Sequence, residues 1–187
     1  FTSSMYYANK IWKWKPNIIH NTIDFLIQRC PDSLKGKSPY IASGKNIYVL
    51  CCGISKSIHQ TLPNIKVEQS IIPNNANEYF PALFSPSDKP YEHIYWSDQA
   101  NLHGEIGEFI YDVKENAWKL MRIRNDRKIE VERGNYFGND HRTAENNWFT
   151  INNPLTINDI MLTKNYINAY CNKHKFVQAV YENLVRY

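Results

Sequence analysis

Gly107-Glu108-Phe109-Ile110-Tyr111-Asp112-Val113, then Lys114-Glu115-Asn116, then Ala117-Trp118-Lys119-Leu120-Met121-Arg122-Ile123-Arg124: two aromatic and β-branched runs flank three polar residues. Such runs favour extended backbone, and the polar trio between them reads as the tip of a β-hairpin. Side chains alternate across a strand, so Arg122, Arg124 and Asp126 share the face opposite Ile123, although Leu120 and Met121 disturb the alternation. Two guanidiniums and a carboxylate on one face suit a polyanion. On its own, an Arg-x-Arg strand more often marks a solvated sheet edge that discourages aggregation.

Working outward, the same criteria predict strands at 11–15, 22–27, 46–54 and 93–96, separated by long polar stretches. In the first of these, Lys13 and Lys15 share a face while Trp12, Trp14 and Pro16 pack or break the pairing. The residues alone support antiparallel β structure. The tail changes character after Asn152-Asn153-Pro154: Ile157, Ile160, Met161, Tyr166, Ile167 and Tyr170, then Phe176, Val177, Val180, Tyr181 and Leu184, have helical spacing and predict two closing helices.

With 187 residues, 43% of them hydrophobic, the chain can bury one sizeable core. No run of about 18 apolar residues and no charged-then-apolar leader is present, so neither a membrane span nor a signal peptide is predicted. Cys30, Cys51, Cys52 and Cys171 lack metal-ligand spacing and read as reduced thiols, with Cys51 and Cys52 on opposite faces of one strand. The scattered histidines predict no metal site. A net charge of +4 and abundant aromatics admit a second class of function, a single-stranded nucleic-acid-binding module that stacks bases on tyrosine and tryptophan. Most of the tyrosines, however, lie in segments whose aromatic side chains ordinarily pack a core.

Taken in order, Lys13-Trp14-Lys15-Pro16, Asn21-Thr22-Ile23-Asp24-Phe25, Trp118-Lys119-Leu120-Met121-Arg122-Ile123-Arg124-Asn125-Asp126-Arg127 and the run Gly138 to Trp148 resemble the GTP:RNA guanylyltransferases of mRNA capping enzymes, members of the covalent nucleotidyltransferase superfamily. The resemblance is to those of large DNA viruses, mimivirus-like or African swine fever-like, and of cytoplasmic linear plasmids. It implies a mainly β fold with appended helices, an OB-fold barrel following the last strands of a nucleotidyltransferase domain. Residues 1–20 would end that domain, 21–150 would form the OB-fold lid with insertions, and 151–187 a helical segment or linker.

In that family Lys13 and Lys15 would contact the α-phosphate of GTP and of the enzyme-bound guanylate, where fixed cations stabilise charge developing as pyrophosphate leaves. Arg122 or Arg124, with Asp126 and Arg127, would orient the terminal phosphates when the lid closes. Arg124 is the stronger assignment, because a guanidinium meets phosphate bidentately and Asp126 can brace its fork. Arg127 stands where the family more often has lysine. Asp24 would remain ionised and orient a lysine. No Lys-x-Asp-Gly motif occurs, so the nucleophilic lysine is expected elsewhere in a longer protein, as are the residues holding a divalent cation, Mg or Mn. The implied substrates are GTP and the 5′ end of RNA; the implied neighbours are triphosphatase and cap methyltransferase domains; the implied location is the host cytoplasm, a viral factory or the virion. An ATP-dependent polynucleotide ligase is the alternative within the superfamily.

Overall fold

Six antiparallel strands carry the described part of the chain, and the reason begins with β1, Ile23–Arg29, whose first six residues are all buried. A strand covered on both faces needs apolar residues at consecutive positions rather than in alternation. A computed structural model of the chain describes residues 21–37, 39–40, 44–62, 65–86, 88–89 and 91–153. The other strands are β2 (Asn46–Ser55), β3 (Tyr79–Leu83), β4 (Ile94–Ser97), β5 (Ile106–Asp112) and β6 (Ala117–Ile123). Their order is β3-β2-β1-β5-β6, with β4 paired to β2 beside β3. This is an OB-like arrangement in which the sheet stays open, since among the described residues β6 pairs only with β5.

The expected hairpin is present, with Asp112 opposite Ala117 and Asn116 at φ 52 in its tip. Pairing slips once, between Glu108 and Phe109: Phe109 faces Leu120, whereas Glu108 faces Arg122. Met121 is the extra residue of this β-bulge, which explains its break in the alternation. Strand β6 therefore keeps Trp118, Leu120 and Ile123 on one face despite their uneven spacing. The strand expected to continue through Arg124 ends at Ile123, and Asn125–Arg127 form a 3-10 turn leading into the short helix Lys128–Glu132.

Each face of the sheet has its own core. One holds Phe25, Phe84, Phe109 and Trp118 beneath the helix His141–Asn152, whose Ala144, Trp148 and Ile151 seal it. The rings meet edge-on or tilted, with centroids 5.0 Å apart for Phe25 and Phe84, 5.1 Å for Phe25 and Trp118, and 4.8 Å for Tyr111 and Trp148. Complete burial of each such phenylalanine contributes about 2 to 3 kcal/mol. Both buried indoles find acceptors, Trp118 donating to the Glu92 carbonyl at 2.7 Å and Trp148 to Asp88 at 3.0 Å. The opposite core gathers Leu26, Val49, Leu83, Ile106 and Phe137. Cys52 lies in the first core and Cys51 in the second, as adjacent strand positions must. Cys30, Cys51 and Cys52 are free thiols.

The predicted strand at 11–15 and the two predicted tail helices lie outside the described residues. No helix among the described residues is long and apolar enough to cross a membrane.

Candidate functional site

The Arg122–Arg127 segment and Asp24 meet at one end of the sheet. Asp24 on β1 faces Glu108 on β5, and Glu108 faces Arg122 on β6, so three charged residues form a row across three strands. Arg122 Nε donates to Glu108 Oε2 at 2.6 Å. Arg124, just past the strand, turns back: its Nη1 donates to Asp24 Oδ2 at 2.6 Å, while Nε and Nη2 grip Asp126 at 2.9 and 2.8 Å. Its fork is therefore held by a buried carboxylate on one side and an exposed one on the other. The side chain of Asp24 is 10% exposed and that of Asp126 61%.

These contacts set the electrostatics. Burial raises the Asp24 carboxyl above its ordinary value, while Arg124 and a hydrogen bond donated by Tyr136 at 3.2 Å pull it back. Hydrogen bonding to Arg124 lowers the Asp126 carboxyl to about 2. Hydrogen bonding to Asp126, and then the charge of Asp24, hold Arg124 firmly cationic. Desolvation opposes ionisation of Glu108, but hydrogen bonds from Arg122 and Thr22 prevail and its carboxyl is lowered.

Arg127 completes the cluster. Its Nη1 donates to Glu130 at 2.7 Å and its guanidinium lies 4.9 Å from the centre of the Tyr136 ring, a cation–π contact. Its buried Nε makes no hydrogen bond, the Asp126 carboxylate standing 3.8 Å away as an ion-pair partner only. Buried donors are rarely left unpaired, so this one marks a place where an acceptor is due.

A tight backbone crossing fixes the geometry. Asn139 N–H donates to the Asp24 carbonyl at 2.7 Å, Asp24 N–H to Asn139 Oδ1 at 2.8 Å, and Gly53 N–H to the Asn139 carbonyl at 2.9 Å. The preceding Gly138 sits at φ 92, where a Cβ would fall 2.7 Å from the Asp24 carbonyl oxygen and 2.8 Å from that of Cys51. Only glycine lets the chain pass so close. The Gly138 to Trp148 run thus both buttresses Asp24 and supplies the helix that covers the aromatic core.

Of the residues singled out from sequence, Asp24, Arg122, Arg124, Asp126 and Arg127 come together, but not as a strand face. Within the Arg122–Arg127 segment, Arg122 alone lies on a strand; Asp126 and Arg127 belong to the 3-10 turn, because the backbone leaves the extended region at Arg124 (φ −91, ψ 73). Among the described residues the cation beside Asp24 is Arg124 rather than a lysine. Lys13 and Lys15 lie outside the described residues. Sequence reasoning missed Glu108 and Tyr136. Counting back from the hairpin tip pairs Glu108 with Met121, and only the bulge moves it to Arg122; Tyr136 carried no signal.

A divalent cation does not fit this cluster. Asp24, Glu108 and Asp126 are each engaged by an arginine, and no described group of three or more His, Cys, Asp or Glu residues is placed to hold a metal.

Comparison with known proteins bears on the same segment. Residues 20–161 match the family model described as "mRNA capping enzyme, C-terminal domain". The chain is 31% identical over 167 residues to the "mRNA-capping enzyme" of the Badajoz strain of African swine fever virus, and 30% identical over 167 residues to that of the Pretoriuskop isolate. Both alignments cover 83% of this chain and 19% of the relative, so the chain spans about a fifth of the length of the curated relatives it matches. Its open β sheet and this match over most of its length agree: the chain belongs to the family of mRNA capping enzyme C-terminal domains.

Proposed function

We propose that this chain is the closing domain of an mRNA guanylyltransferase, which transfers GMP from GTP through a covalent lysyl-GMP intermediate to the 5′-diphosphate end of RNA. The observation that carries the reading is the Arg124 fork, held on one side by the buried Asp24 and on the other by the exposed Asp126. Buried Asp24 fixes the guanidinium in place. Its Nε and Nη2 edge, now gripped by Asp126, is the bidentate edge that a terminal phosphate of GTP would take on closure, and the Nε of Arg127, 3.8 Å from the same carboxylate and without a hydrogen bond, is a further donor beside it. Preset cations of this kind favour the charge that builds on departing pyrophosphate without reorganising during the step.

In this reading Lys13 and Lys15 contact the α-phosphate, and Arg122 serves by ordering Glu108 beside Asp24. The lysine nucleophile and the ligands of a divalent cation come from the rest of a longer protein, alongside triphosphatase and methyltransferase domains, in the host cytoplasm, a viral factory or the virion. Lid closure orients GTP, and reopening releases pyrophosphate and admits RNA.

The test is to incubate the complete protein that carries this domain with α-labelled GTP or ATP and a divalent cation, then look for label on the denatured protein. A guanylate adduct formed from GTP alone is the expected result. Label from ATP instead would make the domain part of a ligase, and no label from either would leave nucleic-acid binding as its activity.

A further inference from the structure

A groove opens beside Arg124, extending from the phosphate cluster along the sheet. It has two connected parts, of about 150 and 360 Å³, which share His103, Gly104, Val131 and Glu132. Arg124 and Lys128 line the smaller part; Leu26, Gln28, Ile71 and Pro73 line the larger. The combined space falls in the range of small-molecule sites.

Gln28 is the unexplained residue. It is only 5% exposed, sits on the same face of β1 as Asp24 and Leu26, and its amide makes no hydrogen bond among the described residues. A buried amide normally finds partners, and this one opens onto the larger part of the groove. The surroundings offer directed polar groups over an apolar floor. His103 accepts the Arg29 N–H on Nδ1 at 3.1 Å, which leaves Nε2 to carry the proton and act as a donor. Asn75 uses its amide nitrogen on the Val131 and Glu132 carbonyls at 3.0 and 2.6 Å, tying the groove wall to the end of the short helix and leaving Oδ1 as an acceptor.

We propose that this groove seats the 5′-terminal nucleoside of the RNA, with its base on Gln28 and its phosphates toward Arg124 and Lys128; the inference rests on the guanylyltransferase reading. A carboxamide presents a donor and an acceptor side by side, the arrangement that reads a base edge, and apolar walls receive the faces of an unstacked base. From Asp24 to Gln28 is four strand residues, about 13 Å, which a nucleoside 5′-diphosphate spans from phosphate to base. Charge sets the direction. In the smaller part Arg124 and Lys128 offset Glu105 and Glu132, whereas the larger part has Glu132 and no lysine or arginine, so the phosphates go to the smaller part while the Glu132 carboxylate accepts from a ribose hydroxyl, the group that distinguishes RNA.

The test measures binding of fluorescent 5′-diphosphate RNA pentamers that differ only in their first base, using the full chain and its Gln28→Met and Ile71→Trp variants, with GTP and inorganic pyrophosphate as competitors. Wild type should rank the four RNAs unequally. Gln28→Met keeps side-chain volume and removes the amide; it should flatten that ranking and weaken the preferred RNA about tenfold, while melting at or above the wild-type temperature. Ile71→Trp fills the groove and should weaken all four RNAs. An unchanged ranking in Gln28→Met, or full RNA affinity in a folded Ile71→Trp, overturns the proposal. So does loss of GTP affinity with RNA affinity intact, which would make the groove a site for free nucleotide. Adduct formation by the wild-type complete protein tests the guanylyltransferase reading separately, so the two failures are distinguishable.

Discussion

Arg124 Nη1 and Asp24 Oδ2 lie 2.6 Å apart although 100 residues separate them in sequence. This pair joins the end of the β5–β6 hairpin to the central strand. Its other carboxylate, Asp126, is a local and solvent-exposed partner. The two should therefore differ sharply on removal. Asp24→Asn leaves a shielded guanidinium half compensated and should cost about 2 kcal/mol; Asp126→Ala breaks an exposed pair and should cost less than about 1 kcal/mol. Urea unfolding of the chain ranks them, and equal losses would show that the buried pair does not anchor the hairpin.

Gly138 makes a second, sharper contrast. Alanine there meets the Asp24 and Cys51 carbonyl oxygens at 2.7 and 2.8 Å in a left-handed conformation, so Gly138→Ala should cost about 3 kcal/mol or more. Gly36 has a similar φ of 75 but open space around the added methyl, and Gly36→Ala should cost about 1 kcal/mol. Thermal melts of both variants check this. Similar losses would mean that backbone conformation, rather than the crossing over β1, sets the penalty.

The buried His93 gives the fold a pH dependence. Tyr40 OH lies 2.7 Å from its Nε2 and Ser85 Oγ 3.0 Å from its Nδ1, with Lys66 and Tyr91 also facing it. Desolvation, aided by the charge of Lys66, lowers its pKa to about 4. Between pH 6.5 and 4 the unfolded chain therefore binds the proton that the folded chain refuses. Stability is complete above pH 6.5 and falls on acidification, by up to about 3 kcal/mol from this residue. Urea midpoints at pH 7, 5.5 and 4.5 should fall more steeply for wild type than for His93→Gln, which keeps hydrogen-bonding capacity without the titration. Parallel curves would reject His93 as the source.

The parts of this fold legible in sequence are those where local pattern and tertiary environment agree. The β5–β6 hairpin announces itself by strand runs around a polar tip, and β1 and β2 by continuous apolar runs that only a doubly covered strand can use. Strand β3 went unread because Pro81 argues against a strand, yet the strand pairs with β2 at one end of the sheet order, where a missing N–H is tolerated. The helix His141–Asn152 was hidden by its polar residues, though buried His141, Ala144, Trp148 and Ile151 do recur at helical spacing. The charged residues of the site were readable as types. Their grouping was not, because it depends on the Met121 bulge and on the close passage of Gly138 over β1.

Two arginines of the cluster, Arg124 and Arg127, should respond differently to lysine. Arg124 uses all three nitrogens, one on Asp24 and two on Asp126, and a phosphate taking the place of Asp126 would need both nitrogens of that edge. An ammonium is a point donor and cannot supply parallel bonds while still reaching Asp24. Arg124→Lys in the complete protein should lower guanylate transfer about a hundredfold, equivalent to roughly 2.7 kcal/mol of transition-state stabilisation. At Arg127, Nη1 holds Glu130, the guanidinium makes its cation–π contact, and Nε lies 3.8 Å from Asp126 Oδ2 without a hydrogen bond. Lysine there keeps the charge and removes the unpaired donor, so Arg127→Lys should leave stability unchanged or raised by up to about 1 kcal/mol and change transfer only a few-fold. Rates of adduct formation and melting temperatures of both variants decide the matter. A larger catalytic loss at Arg127 than at Arg124 would move the terminal-phosphate contact from the strand end to the 3-10 turn, and with it the direction from which the nucleotide enters.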